Sequence, residues 1–235
     1  MPCLNRSILS ATPTAPSSSA PQVRYTNGNF QFGIENPQTT LTPFGGGARI
    51  VTEDSSLPDL VARYNLKGDW GTFSVSGLAR QLSYDTGVSD ETENAFGISA
   101  SAKILLSNNN DLRLTISSGD GIGRYLNLNT ANDAVIADDG SLEAITATGA
   151  AVAYRQVWNA HWRSNFVYSV FEADNDTDYT GTGVTKTTHS GSVNLLYQVA
   201  SKFMVGMELR YANREIEAGA DGDMTRLQFT AKYDF

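Results

Sequence analysis

The chain has 235 residues, a formal net charge of −8, a mean hydropathy of −0.27 and one cysteine, Cys3. A single cysteine excludes a disulfide scaffold and a cysteine-based zinc cluster, two histidines leave little for a histidine metal centre, and the acidic balance argues against a nucleic-acid partner. No apolar run is long enough for a membrane helix, but the half-apolar strands of a membrane β-barrel escape that count.

Residues 1–22 (MPCLNRSILSATPTAPSSSAPQ) are rich in Pro, Ser, Thr and Ala and lack the apolar core of a secretory signal. The expectation is a disordered leader, foreign to the rest of the chain. From Val23 to Phe235 the texture is uniform and reads as one segment.

That texture is period-two alternation broken by turn residues, the mark of strands with two unlike faces. Residues 22–26 look like the end of a strand, and residues 30–34 follow a tight Asn27-Gly28 turn. Leu60, Ala62, Tyr64 and Leu66 alternate with Arg63, Asn65 and Lys67. Residues 73–84 are noisier. Phe96, Ile98, Ala100, Ala102 and Ile104 then oppose Ser99, Ser101 and Lys103, and Leu112, Leu114 and Ile116 oppose Arg113, Thr115 and Ser117. Residues 147–158 carry Gln156 on the apolar face. Val193, Leu195, Tyr197 and Val199 form the next set, followed by Phe203, Val205, Met207, Leu209 and Tyr211 against Glu208 and Arg210. The last strand sets Leu227, Phe229, Ala231, Tyr233 and Phe235 against Arg226, Gln228, Thr230, Lys232 and Asp234. About ten strands result.

The connections alternate between short (27–28, 68–71, 107–110, 159–160, 200–201) and long (37–58, 85–93, 119–140, 174–185, 215–223). Short turns at one rim and long loops at the other describe an up-and-down membrane meander. A soluble lipocalin-like binder would share the period but put its apolar face inside. Three details favour lipid outside and a polar lumen inside. No charged residue interrupts the apolar sets above, and a mid-bilayer Arg costs about 2–4 kcal/mol. Aromatics form two girdles, Trp70, Trp158, Trp162, Phe203 and Phe235 at the short turns, and Tyr84, Tyr168, Phe171 and Tyr211 towards the long loops. The polar face, full of Ser, Thr, Asn and Arg, would make a poor dry core. The fold class is therefore all-β, a transmembrane antiparallel up-and-down β-barrel. Phe229, Tyr233 and Phe235 resemble the C-terminal signal read by the barrel-assembly machinery.

The runs VRYTNGNFQFGIENP, LVARYNLKGDWGTFSVSGLARQLSYD, GDGIGRYLNLN and LRYANREI resemble DcaP-like trimeric outer-membrane porins, over Val23 to Phe235. The resemblance implies a Gram-negative outer-membrane channel and a homotrimer in contact with lipid and lipopolysaccharide. It also implies a barrel of about sixteen strands, of which this chain would be the C-terminal part. On that expectation an open sheet would leave edges unpaired in lipid.

On the polar face stand Arg63, Lys67, Arg80, Lys103 and Arg113, then Arg155, Arg163, Arg210, Arg226 and Lys232; the inward acids are Glu35, Glu208 and Asp234. Most other acids, Asp133 among them, fall in the long loops and would form an acidic rim. A basic wall favours anions, so the expected function is passive diffusion of small carboxylate solutes; the resemblance implies dicarboxylates. The alternatives are a soluble ligand binder and a structural barrel without transport. Loops 119–140 and 37–58, with Arg124 and Arg49, are candidates for a constriction or for a lid outside the pore.

No metal, cofactor or catalytic set is expected. Gly119-Asp-Gly121-Ile-Gly123 lacks the spacing of a phosphate loop. Asp174, Asp176 and Asp178 lack the Gly and Glu of a calcium loop. For a phospholipase the strand position facing His189 is Gly191, not a serine.

Overall fold

The structure is a computed structural model that describes residues 22–88, 90–126 and 129–235. The expected leader therefore lies outside the described residues, apart from Gln22. The strands run β1 (Gln22–Asn27), β2 (Phe30–Glu35), β3 (Thr39–Thr42), β4 (Ile50–Thr52), β5 (Asp59–Gly68), β6 (Gly71–Asp85), β7 (Asp90–Leu105), β8 (Asp111–Asp120), β9 (Ala134–Ile136), β10 (Leu142–Ala144), β11 (Thr146–Val157) and β12 (Trp162–Asp174). A one-turn helix α1 (Thr177–Thr180) precedes β13 (Thr185–Ala200), β14 (Phe203–Ile216) and β15 (Asp221–Tyr233).

Eleven of these strands form one antiparallel meander in the order β1-β2-β5-β6-β7-β8-β11-β12-β13-β14-β15. The sheet is not closed: β1 and β15 are its edges. Strands β5 to β15 of this wall are 10–16 residues long, enough to cross a bilayer, for which about 9–11 suffice when strands tilt. Each of the five short turns is present. At β5–β6 the turn demands glycine: Gly71 has φ +138°, and a Cβ there would collide with the Lys103 carbonyl oxygen. The connection expected at 85–93 is shorter than its sequence implies, because β6 and β7 stay paired as far as Asp85↔Asp90.

The wall is inside-out relative to a soluble protein. Phe32, Leu60, Phe96, Ile98, Ile116, Tyr168, Leu209 and Phe229 lie exposed on its outer face, while Ser74, Ser76, Arg80, Ser99, Asp111 and Ser117 are buried on the inner one. That is the distribution lipid outside requires. Two polar pairs towards the short-turn end of the outer face are satisfied locally, as hydrocarbon demands. The Tyr154 hydroxyl donates to Gln156 at 2.7 Å and the Trp158 indole to Ser164 at 2.9 Å.

The other four strands, β10-β9-β3-β4, form a small sheet that the sequence period does not reveal. It is made by the connections 36–58 and 121–145, joined by parallel pairing of β3 with β9 at Leu41↔Ala134 and Thr42↔Val135. The apolar core lies between this sheet and the wall. Val61, Leu78, Ala147, Phe171 and Ala173 of the wall meet Ile122, Leu126, Ala131, Val135 and Ile145. Leu82 and Ala95 meet Leu41, Ala134 and Leu142. Both constriction candidates thus fold against the inner face near the long-loop rim. Tyr84 and Phe171, expected in the outer aromatic girdle, face inward onto them instead.

Candidate functional site

The folded-in loops are fastened by buried charge. The second loop leaves β8 through Gly119–Gly123, where a Cβ at Gly123 would collide with the Ala131 carbonyl oxygen, so the glycines there serve close packing. This bend brings Arg124 and Tyr125 under the first loop. Arg80 Nε lies 3.3 Å from Asp59 and its Nη1 3.2 Å from Asp133, with no side-chain exposure on any of the three. Arg80 also donates to the Gly121 carbonyl at 3.0 Å and to that of Gln38. Asp133 accepts from the Thr40 amide and hydroxyl, both at 2.9 Å, and from the Arg124 amide at 2.9 Å. One carboxylate therefore ties both loops to the wall. Arg124 donates to the Gln38 carbonyl at 3.1 Å, and Arg49 reaches from the first loop to Asn132 and the Asn129 carbonyl.

Three carboxylates, Glu35, Asp59 and Asp133, face two guanidinium groups here. The Tyr125 hydroxyl stands between two of them, 2.7 Å from Asp59 and 3.1 Å from Glu35. Burial, then the charges of Asp59 and Glu35, push its pKa well above the usual phenol range, so it stays a donor. Outside this cluster, the Ser141 hydroxyl and amide hold Asp139 below the usual carboxylate range at the exposed β9–β10 turn.

Below the loops the pairing register organises the inner wall. One continuous row crosses it as Lys67, Thr72, Lys103, Arg113, Ala153, Val167, Ser192, Arg210 and Arg226. Five of its nine positions are cationic, in two groups separated by three neutral residues. The next row towards the long loops is small and, apart from Ala151, polar: Asn65, Ser74, Ser101, Thr115, Ala151, Ser169 and Ser190. Because barrel strands tilt, such a row climbs obliquely along a lumen instead of forming a level ring.

The sequence-predicted cations divide into held and unheld ones. Arg80 and Arg124 are buried in the loop network and unavailable to a solute. Arg113 and Arg155 share Asp111 at 2.8 and 2.7 Å, and Lys232 pairs with Asp234 at 2.9 Å. Arg63 donates to Asn65 at 2.9 Å. Among the described residues Lys67, Lys103, Arg163, Arg210 and Arg226 have no carboxylate within ion-pair distance. Glu35 lies buried beside Tyr125, whereas Glu208 stands half-buried in the inner wall, in register with Asn194 and Gln228. Phe229, Tyr233 and Phe235 are exposed on or beyond edge strand β15.

Asp59 and Asp111 escape a reading centred on cations, although each shares the inward parity of the arginine in its own strand. Asp133, placed by sequence in an acidic rim, is fully buried. Asp176 caps α1 by accepting from the Asp178 amide at 3.0 Å. His189 is exposed on the outer face, whereas Ser190 turns inward to Ser169 at 2.9 Å.

No curated protein matches the chain. Among solved structures, the crystal structure of the outer membrane channel DcaP of Acinetobacter baumannii superposes with a TM-score of 0.76 at 20% identity. The match covers 92% of this chain and 62% of that one, so the chain spans less than two thirds of that channel's length. A NanC porin structure is more distant, with a TM-score of 0.47, 8% identity and 91% of each chain covered. The model of the DcaP outer membrane protein family matches residues 15–235, wall and folded-in loops alike. With its inside-out sheet and loops turned inward, the chain belongs to the DcaP outer membrane protein family.

Proposed function

We propose that the protein contributes the wall of an outer-membrane channel for passive diffusion of small anionic solutes, with dicarboxylates the best-suited class and a homotrimer the working form. The observation that carries this reading is the inner row Lys67, Lys103, Arg113, Arg210 and Arg226. Four of these five have no carboxylate within ion-pair distance among the described residues, Arg113 alone sharing Asp111 with Arg155, and cations set in a low-dielectric wall focus a field that concentrates anions. The flanking hydroxyl row supplies donors that replace water around a moving carboxylate. The Arg80 and Arg124 charges of the loop network are buried; the loops narrow the long-loop mouth and leave the wall cations to select. Swelling of proteoliposomes tests the proposal. Dicarboxylates should enter at least several-fold faster than diamines of matching size. Equal or inverse rates would contradict it.

A further inference from the structure

A second polar feature lies at the opposite, short-turn rim, away from the folded-in loops. The inner face there encloses a cavity of about 230 Å³ lined by Arg155, Arg163, His161, Leu196, Gln198 and Met204. Arg155 is in register with Asn165, so Arg163 is its diagonal neighbour across the β11–β12 pair, about 7–8 Å away. Arg163 donates to the Met204 thioether at 3.1 Å, and no carboxylate stands within ion-pair distance of it among the described residues. A thioether is a weak acceptor, and a guanidinium carries five donors in a planar fork. Most of the hydrogen-bonding capacity of Arg163 is therefore unspent.

Arg155 is only partly satisfied. One of its terminal nitrogens binds Asp111 at 2.7 Å and the Asn109 carbonyl at 3.0 Å, while its Nε is buried with no hydrogen-bond partner. Asp111 must also serve Arg113. Two guanidinium groups thus share one carboxylate, and Arg163 has none within ion-pair distance among the described residues. The next acid in that row, Glu208, stands three strands from Arg155, about 14 Å at normal strand spacing. A buried donor left unmet is costly, and forked donors suit an oxyanion.

We propose that this cavity is an oxyanion-binding site, taking one carboxylate or phosphate group between Arg155 and Arg163 at the short-turn mouth. It deepens the channel reading, which supplies the anions, by adding a docking position at the end of the wall opposite the loops.

Trp162 also lines the cavity, which gives the test its signal. The full chain, refolded in detergent, is titrated with inorganic phosphate and separately with succinate while tryptophan fluorescence is followed. The wild type should show a saturable change with at least one of them, and the tighter of the two identifies the source. R163Q should weaken binding at least tenfold. M204E, which places a carboxylate where the thioether sits, should abolish it by internal competition, and K186Q at the far rim should leave it unchanged. Absence of a saturable response, or wild-type binding by both R163Q and M204E in chains with native circular dichroism, would overturn the site. The wild-type reversal potential, measured in parallel, separates the two claims: cation selectivity would remove the channel reading, whereas the titration alone decides the site.

Discussion

Arg80 illustrates how far a single residue can be read. Its parity in β6 places it on the inner face, and the structure puts it there, but period two says nothing of what covers a side chain. Only the fold brings residue 133 beside residues 59 and 80. Removing one member of such a buried set leaves its partners charged and unpaired, which costs about 3–5 kcal/mol. Asp133→Ala should therefore lower stability by that order, measured from denaturant midpoints in detergent, and open residues 36–58 and 121–145 to protease. An unchanged midpoint and unchanged protection would contradict the role given to Asp133. Tyr125 adds a pH dependence of definite sign. Its folded pKa is raised above the ordinary value of 10.0. Its contribution is thus complete below pH 10 and is lost as pH rises beyond, where the unfolded phenol ionises first. The loop protection should be flat from pH 7 to 9 and fall above 10, followed by proteolysis across that range.

At the scale of elements, legibility tracks length. Strands of ten or more residues repeat the two-face pattern often enough to be found, whereas β3, β4, β9 and β10 have three or four residues each and complete at most two periods. Their pairing is also long-range, between connections about ninety residues apart (Thr40 and Asp133), which local pattern cannot encode. The same blindness affects Tyr84 and Phe171. The preference of aromatics for interfaces points both at lipid, yet near the long-loop rim the inner face is itself apolar, to receive the loops. The assignment of faces has a direct check in β8. Thr115 points inward and Ile116 outward, midway along the strand. Ile116→Arg should cost about 2–4 kcal/mol in lipid, seen as lost folding into vesicles or lost heat-modifiable gel migration. Thr115→Arg, one residue away, should fold normally. Equal tolerance of both would contradict an outer face in lipid.

For the whole molecule, the overall charge of −8 misleads until it is sorted by position. Much of the acid lies in connections, and Asp59, Asp111 and Asp133 are spent on buried ion pairs; the unpaired inner-wall groups are mostly cationic. That residues of opposite ends of the chain align in one row depends on nine strands keeping register, a property of the assembled sheet; inward parity alone shows only a scatter of basic positions. The central claim is that this row selects anions. The reversal potential of the reconstituted protein in a planar bilayer under a potassium chloride gradient tests it most directly. The account predicts a potential of the sign set by chloride, moving towards zero when Lys103, Arg210 and Arg226 are replaced together by glutamine. A potential of the sign set by potassium in the unaltered protein would contradict it.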